Sequence, residues 1–223
     1  MNAYLAQALR DAHLRQPVPG VGDPGAGATA LGERERPADD DLDAFAQAAA
    51  RGDAEAVGRL YDALVGPMYR YVAVRVRRRE DAEDLTQVVF ERIVASLPRY
   101  RDRGRPFQAW AFRIARNAVI DHVRRERRHE PLDGEQLTTH GEGGPEALSL
   151  RGEQLRELRA AMAELTADQQ EAIALRFAAG LSAEEAARVM GRRAGTIRGL
   201  TFRAIASLRR RLTAERPGKG GRR

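Results

Sequence analysis

The apolar positions of this chain fall at three- and four-residue intervals in one stretch after another. That is the spacing of a helix with one buried face, and the chain reads as all-α. Leu42, Phe45, Ala46 and Ala49 form a first clear stripe behind the acidic run Asp39-Asp40-Asp41, which suits a helix N-terminus. Asp53 is placed to cap a longer helix that turns Val57, Leu60, Tyr61, Leu64, Met68, Tyr69 and Val72 inward. A kink is expected at Gly66-Pro67, because proline removes one helical hydrogen bond. A third helix over residues 81–97, stopped by Pro98, buries Ala82, Leu85, Val89, Ile93 and Leu97. The loop RYRDRGRPF at residues 99–107 then leads into a fourth helix ending near residue 128. One of its faces carries Phe107, Trp110, Ala111, Ile114, Ala118 and His122; the other carries Arg113, Arg116, Asn117, Arg124, Arg125, Arg127 and Arg128.

Two stretches break this pattern. Tyr4, Leu5, Ala8, Leu9 and Ala12 allow a short amphipathic helix, but the Gly-, Pro- and Ala-rich run that follows has nothing periodic to bury and is expected to be mobile. Residues 130–147, EPLDGEQLTTHGEGGPEA, read as an acidic, flexible tether. The chain thus divides into an extension (1–38), a helical module (39–129), the tether (130–147), a second helical module (148–214) and a basic tail (215–223). The extension is either a dispensable tail or a partner-binding arm.

The second module has the sharper punctuation. Thr166 with Gln169 and Ser182 with Glu185 are capping boxes, in which hydroxyl and carboxamide or carboxylate satisfy each other's backbone N–H. The first opens a helix carrying Ile173, Ala174 and Phe177, closed by Gly180. The second opens a short helix with Ala186, Ala187 and Met190 on one face and Gly191 to stop it. After Arg192-Arg193-Ala194-Gly195, a longer helix from Thr196 buries Ile197, Leu200, Ala204, Ile205 and Leu208. A methyl-sized residue where two helices cross, a turn glycine and an Ile–Leu anchor make a helix-turn-helix, whose second helix enters the major groove. Its outward face, Arg192, Arg193, Thr196, Arg198 and Arg203, suits phosphates and the acceptor edge of guanine.

Composition narrows the picture. A net charge of +6 with a pI near 10.4 points to a polyanionic partner. Aromatics are only 5% of 223 residues, which favours small modules packed with Leu, Ala and Val. The absence of cysteine excludes disulfides, thiolate metal sites and cysteine nucleophiles, and fits a reducing compartment. No apolar run approaches the roughly 20 residues of a membrane span, and no signal-peptide core is visible, so the expected location is the cytoplasm. Glu80, Asp81, Glu83, Asp84, Gln87 and Glu91 cover the outer face of the third helix. That face is either ordinary helix-dipole chemistry or a protein-docking surface. Trp110 is either core or a base-stacking platform.

Read together, DAEDLTQVVFERI, FQAWAFRIARNAVIDHVRRERR and LTADQQEAIALRFAAGLSAEEAARVMGRRAGTIR resemble an extracytoplasmic-function (ECF) sigma factor of bacterial RNA polymerase over residues 40–214. The resemblance implies two small helical domains, sigma region 2 and the region 4 helix-turn-helix, on a flexible linker. It implies a non-enzymatic protein without cofactor, whose partners are core RNA polymerase (the beta-prime clamp helices and the beta subunit), promoter DNA and, as is common among relatives, an anti-sigma factor. Asp81, Asp84, Gln87, Phe90 and Glu91 would then dock on the clamp. Arg103, Arg105, Phe107, Arg113, Arg116, Asn117 and Arg124 would capture and melt the minus-ten element. Arg192, Arg193, Thr196, Arg198, Gly199, Phe202 and Arg203 would face the minus-thirty-five element. Relatives often read T-V-K-S-R-L-x-R-A at the recognition helix; here Gly199 replaces a polar side chain and Leu200 an arginine. Two other readings stay open on the residues alone. One is a dimeric operator-binding regulator; the other is a helical nuclease holding Mg²⁺ on Asp81, Glu83 and Asp84.

Overall fold

The computed structural model describes residues 39–101, 104, 106–129 and 161–214. The helix expected near residues 4–12, the extension, the tether, the start of the second module, the tail, and Arg103 and Arg105 lie outside the described residues.

The first module is a helical bundle. Helix α1 (Asp39–Ala50) packs on α2 (Ala54–Ala73) and on α4 (Phe107–His129), and α3 (Arg79–Ser96) bridges α2 and α4. Asp53 caps α2 as expected, its carboxylate accepting from the Glu55 and Ala56 backbone N–H groups. Helix α2 runs on through Pro67. Its inward face differs from the expected one: Tyr61 and Tyr69 are half-buried, while Tyr71 is fully enclosed. The run Leu64, Met68, Tyr71 continues the buried stripe, so Tyr71, not Tyr69, completes it. Helix α3 ends before Pro98, in a single 3-10 turn over Leu97–Arg99. Phe107, Phe112, Leu64, Met68, Val89 and Val119 form the centre of the core. Each fully buried side chain of this size contributes about 1.5–3 kcal/mol.

The second module is smaller. Helix α5 (Ala167–Ile173) passes into a π-helical turn over Ala174–Ala178, followed by α6 (Ala183–Met190) and α7 (Ala194–Ala214). Both capping boxes are present. The π-turn corrects one expectation: Phe177 lies 60% exposed. The Ala179 N–H reaches back five residues to the Ala174 carbonyl, and the extra residue in the turn rotates Phe177 out of the stripe that Ala174 and Leu175 occupy. Helix α7 begins at Ala194, two positions before Thr196, and buries Ile197, Leu200 and Ala204; Ile205 and Leu208 are half-buried.

The two modules lie against each other, α6 on α4 and the π-turn on α2. Among the described residues, no helix is long and apolar enough to cross a membrane.

Candidate nucleic-acid interface

The helix-turn-helix is built by local chemistry. Ser182 accepts from the Glu185 N–H at 3.1 Å, and the Glu185 carboxylate returns to the Ser182 N–H at 2.5 Å. Gly191 ends α6 at φ 64°, ψ 37°, a left-handed conformation costly for any side chain with a Cβ. Ala187 and Ile197 are both buried where the helices meet, so α7 leaves the turn with its first two turns anchored. On its outer face Arg193, Thr196, Arg198, Phe202 and Arg203 are exposed, Phe202 by 74%. Two of the basic groups are held within the module: Arg192 donates to Asp168 at 3.2 Å, and Arg198 pairs with Glu184. Gly199 lies under the Arg203 guanidinium, which a Cβ at that position would meet at 3.4 Å.

The corresponding surface of the first module lies on α4. Arg113, Asn117 and Arg124 are exposed at positions i, i+4 and i+11 and so share one helical stripe. Phe107 is not part of that surface. It is fully buried, its ring edge-on to Tyr100 at 5.3 Å and tilted against Trp110 at 5.2 Å, and its N–H donates to the Asp43 carboxylate at 2.5 Å. Its contribution is to anchor the arginine-rich loop on α1. Trp110 is half-buried on the same aromatic cluster and also walls a cleft of about 340 Å³ with Arg99, Tyr100, Arg101, Arg113 and, from the second module, Arg188.

Arg116 faces the seam between the modules. Its Nε stands 3.7 Å from the Glu171 carboxylate of α5, a residue only 3% exposed. The same carboxylate accepts from the Tyr71 hydroxyl at 2.7 Å and lies 3.3 Å from the Arg75 guanidinium. Burial, and then the adjacent Glu171 charge and its hydrogen bond, push the Tyr71 hydroxyl pKa well above its ordinary value, so it stays a donor. No sequence motif marks Tyr71, Arg75 or Glu171. One signal was available: Glu171 stands four residues before Leu175, an acidic side chain on an apolar stripe.

On α3, Asp84, Gln87 and Glu91 are exposed, with Gln87 donating to Glu91 at 3.2 Å. Phe90 is buried beneath them, its ring 4.8 Å from that of Tyr61, and supports that face from below. Asp81 is half-buried and turned toward α4, where its carboxylate, the His122 imidazole and the Glu126 carboxylate have ligand atoms within 4.8 Å of one another. His122 and Glu126 also pair directly at 3.5 Å.

Comparison with known proteins matches this division. Residues 57–129 match the model of sigma-70 region 2, and residues 155–208 that of sigma-70 region 4. The ECF RNA polymerase sigma factor SigD of Mycobacterium tuberculosis is 33% identical over 78% of this chain and 84% of its own length. The chain belongs to the ECF sigma factors. This sigma factor therefore binds core RNA polymerase and promoter DNA and directs transcription initiation. It is 42% identical to the ECF sigma factor BldN of Streptomyces coelicolor over 72% of this chain, a match that spans 62% of that relative's length. A solved structure of the sigma factor RpoE in complex with the anti-sigma factor NepR, from Bartonella quintana, superimposes with a TM-score of 0.55 at 25% identity, covering 70% of this chain and 95% of that one.

Proposed function

We propose that the work of initiation divides between α4 and α7, with the catalysis left to the polymerase. The observation that carries this reading is the exposed stripe Arg113, Asn117 and Arg124: one amide able to read a base edge, flanked by cations that hold a backbone. Strand opening costs about 1.4 kcal/mol per stacked step, so a surface that favours separated strands must return comparable contacts. Asn117 hydrogen-bonds an extruded base of the minus-ten element, and Arg113, Arg116 and Arg124, with the loop arginines Arg103 and Arg105, hold the single-strand phosphates. Phe107 positions that loop from the core.

Helix α7 holds duplex DNA at the minus-thirty-five element. Arg192, Arg193, Thr196, Arg198 and Arg203 contact phosphates and guanine edges, Phe202 makes apolar contact, and Gly199 allows close approach of the backbone. Asp84, Gln87 and Glu91 meet the beta-prime clamp, supported by Phe90 and by Asp81 at its edge. The RpoE–NepR structure supports an anti-sigma partner for this chain as well. The test is transcription with purified core polymerase on duplex promoter and on the same promoter with the minus-ten region already unpaired. This reading requires initiation on both, and Asn117→Ala to fail on the first while working on the second.

A further inference from the structure

Helix α3 enters the bundle with its first turn against the second half of α4. Asp81 from the one helix meets His122 and Glu126 from the other, with one ligand atom of each lying within 4.8 Å of the other two. His122 and Glu126 are one turn apart on α4 and so stand side by side on one face. That face is not the exposed stripe of Arg113, Asn117 and Arg124, since both side chains are half-buried. Of the carboxylates that the sequence offers for a metal, Asp81, Glu83 and Asp84, only Asp81 takes part. Glu83 is held by Arg79 at 2.8 Å, and Asp84 is exposed.

The three groups together have the chemistry of a metal ligand set. His122 Nε2 is shut off from solvent without a hydrogen bond, and the Glu126 carboxylate oxygen beside it stands at 3.5 Å, too far for one. A buried ring nitrogen left in that state is unfavourable, whereas its lone pair is a ready ligand. Two ligand atoms bound to a tetrahedral zinc ion at about 2.0–2.2 Å stand about 3.4 Å apart, close to the 3.5 Å between His122 and Glu126. The Asp81 carboxylate, within 4.8 Å of both, needs at most a change of rotamer to join them. Two half-buried carboxylates this near each other repel, and a divalent cation between them removes the repulsion. One imidazole with two carboxylates suits zinc and its transition-metal neighbours. Calcium asks for roughly six to eight oxygens, and magnesium for a near-octahedral, largely hydrated shell.

We propose that Asp81, His122 and Glu126 bind a divalent transition-metal ion of the zinc type, which pins the first turn of α3 to the second half of α4. Three protein ligands leave a fourth position to water. The site draws on the first module only, so it holds whether or not α3 meets the polymerase clamp. In the sigma factor, the ion fixes Asp81, at the edge of the clamp-docking face, relative to the minus-ten stripe on α4.

The test uses the full chain, stripped of metal with a chelator, and Zn²⁺ itself as the probe. One equivalent is expected to bind in a calorimetric titration, and Co²⁺ in its place should give the visible absorption of a four-coordinate ion. Asp81→Asn, His122→Gln and Glu126→Gln each remove a ligand with little change of size. Each should weaken binding by about tenfold or more, with helical content unchanged. The histidines outside the site, His13, His129 and His140, are replaced together by glutamine as a control, and that variant should bind as the parent does. Zn²⁺ should raise the unfolding temperature of the parent and of the control, and not that of His122→Gln. Absence of one-equivalent binding to the parent overturns the site, and so does binding that the control loses and His122→Gln keeps. Parent-strength binding in Asp81→Asn overturns the pin between the helices. Displacement of Zn²⁺ by an equal concentration of Mg²⁺ or Ca²⁺ overturns the zinc type. If His122→Gln loses its helical signal, Glu126→Gln decides in its place.

Discussion

Helices α4 and α7 make the same kind of surface from the same kind of residue, and the structure surrounds them differently. Helix α7 projects its basic face from a small module whose capping boxes, turn glycine and Ile197 anchor are all local, and that face is open. Helix α4 is clasped by α1 and α3 of its own module and by α6 of the other; Arg113, Asn117 and Arg124 of its outer stripe are exposed, while Arg116 is half-buried at the seam. A surface that grips paired strands can stand ready at all times, since duplex DNA offers it only weak, nonspecific phosphate contacts elsewhere. A surface that favours separated strands is of use only where a polymerase waits to exploit the opening. On the proposed division of labour, that difference matches the difference in exposure between Arg203 and Arg116.

The largest expected effect that separates the two helices is at Asn117. Its replacement by alanine should reduce open complexes on duplex promoter by about 10- to 100-fold, the loss of one base-edge contact, and leave polymerase binding intact. Permanganate footprinting on duplex and pre-opened templates measures this; equal loss on both would place Asn117 outside melting. On α7, Arg203→Ala should weaken promoter binding by the holoenzyme about tenfold and, if the contact is to phosphate, make the slope of log affinity against log salt shallower by about 0.9. The same substitution should leave opening of a pre-bound promoter unchanged. A third variant tests neither helix but what carries them: Asp84→Lys should lower co-purification with core polymerase several-fold, an exposed-charge effect of about 1 kcal/mol, with helical content unaltered.

The smallest effect is a pH dependence confined to the seam. The Tyr71 hydroxyl is held well above its ordinary 10.0 by burial first and by Glu171 second, so the folded form binds that proton more tightly than the unfolded one. A raised value in the folded state means that stability is unaffected below about pH 10 and weakens as pH climbs through the folded-state value. Thermal unfolding followed from about pH 8 upward should show a loss of stability at the alkaline end that Tyr71→Phe lacks.

The legible part of this molecule was the part made by neighbours in sequence. Asp53, Thr166 and Ser182 each satisfy backbone groups two or three residues away, so their capping roles could be read from spacing alone. The helix-turn-helix followed for the same reason. The family resemblance supplied the order of the modules and their partners. What escaped reading lies at long range: Tyr71 and Glu171 are 100 residues apart, and periodicity cannot show that one module's tyrosine answers the other's carboxylate. Periodicity puts Phe177 on the buried stripe, and a π-turn that inserts one residue into the helical count, without any marker in the sequence, moves it out. Motif position puts Phe107 and Phe90 at contact surfaces, whereas their burial makes them supports.

Gly199 has a consequence for how promoter preference could change. The Arg203 side chain lies across the bare backbone there, at the distance where even a methyl would touch it. A polar group introduced at 199 to gain a new base contact would compete for the space of the guanidinium one turn on and redirect it. On the proposed role of α7, the two positions form a single unit of recognition, and a shift in target sequence through one of them has to be negotiated with the other.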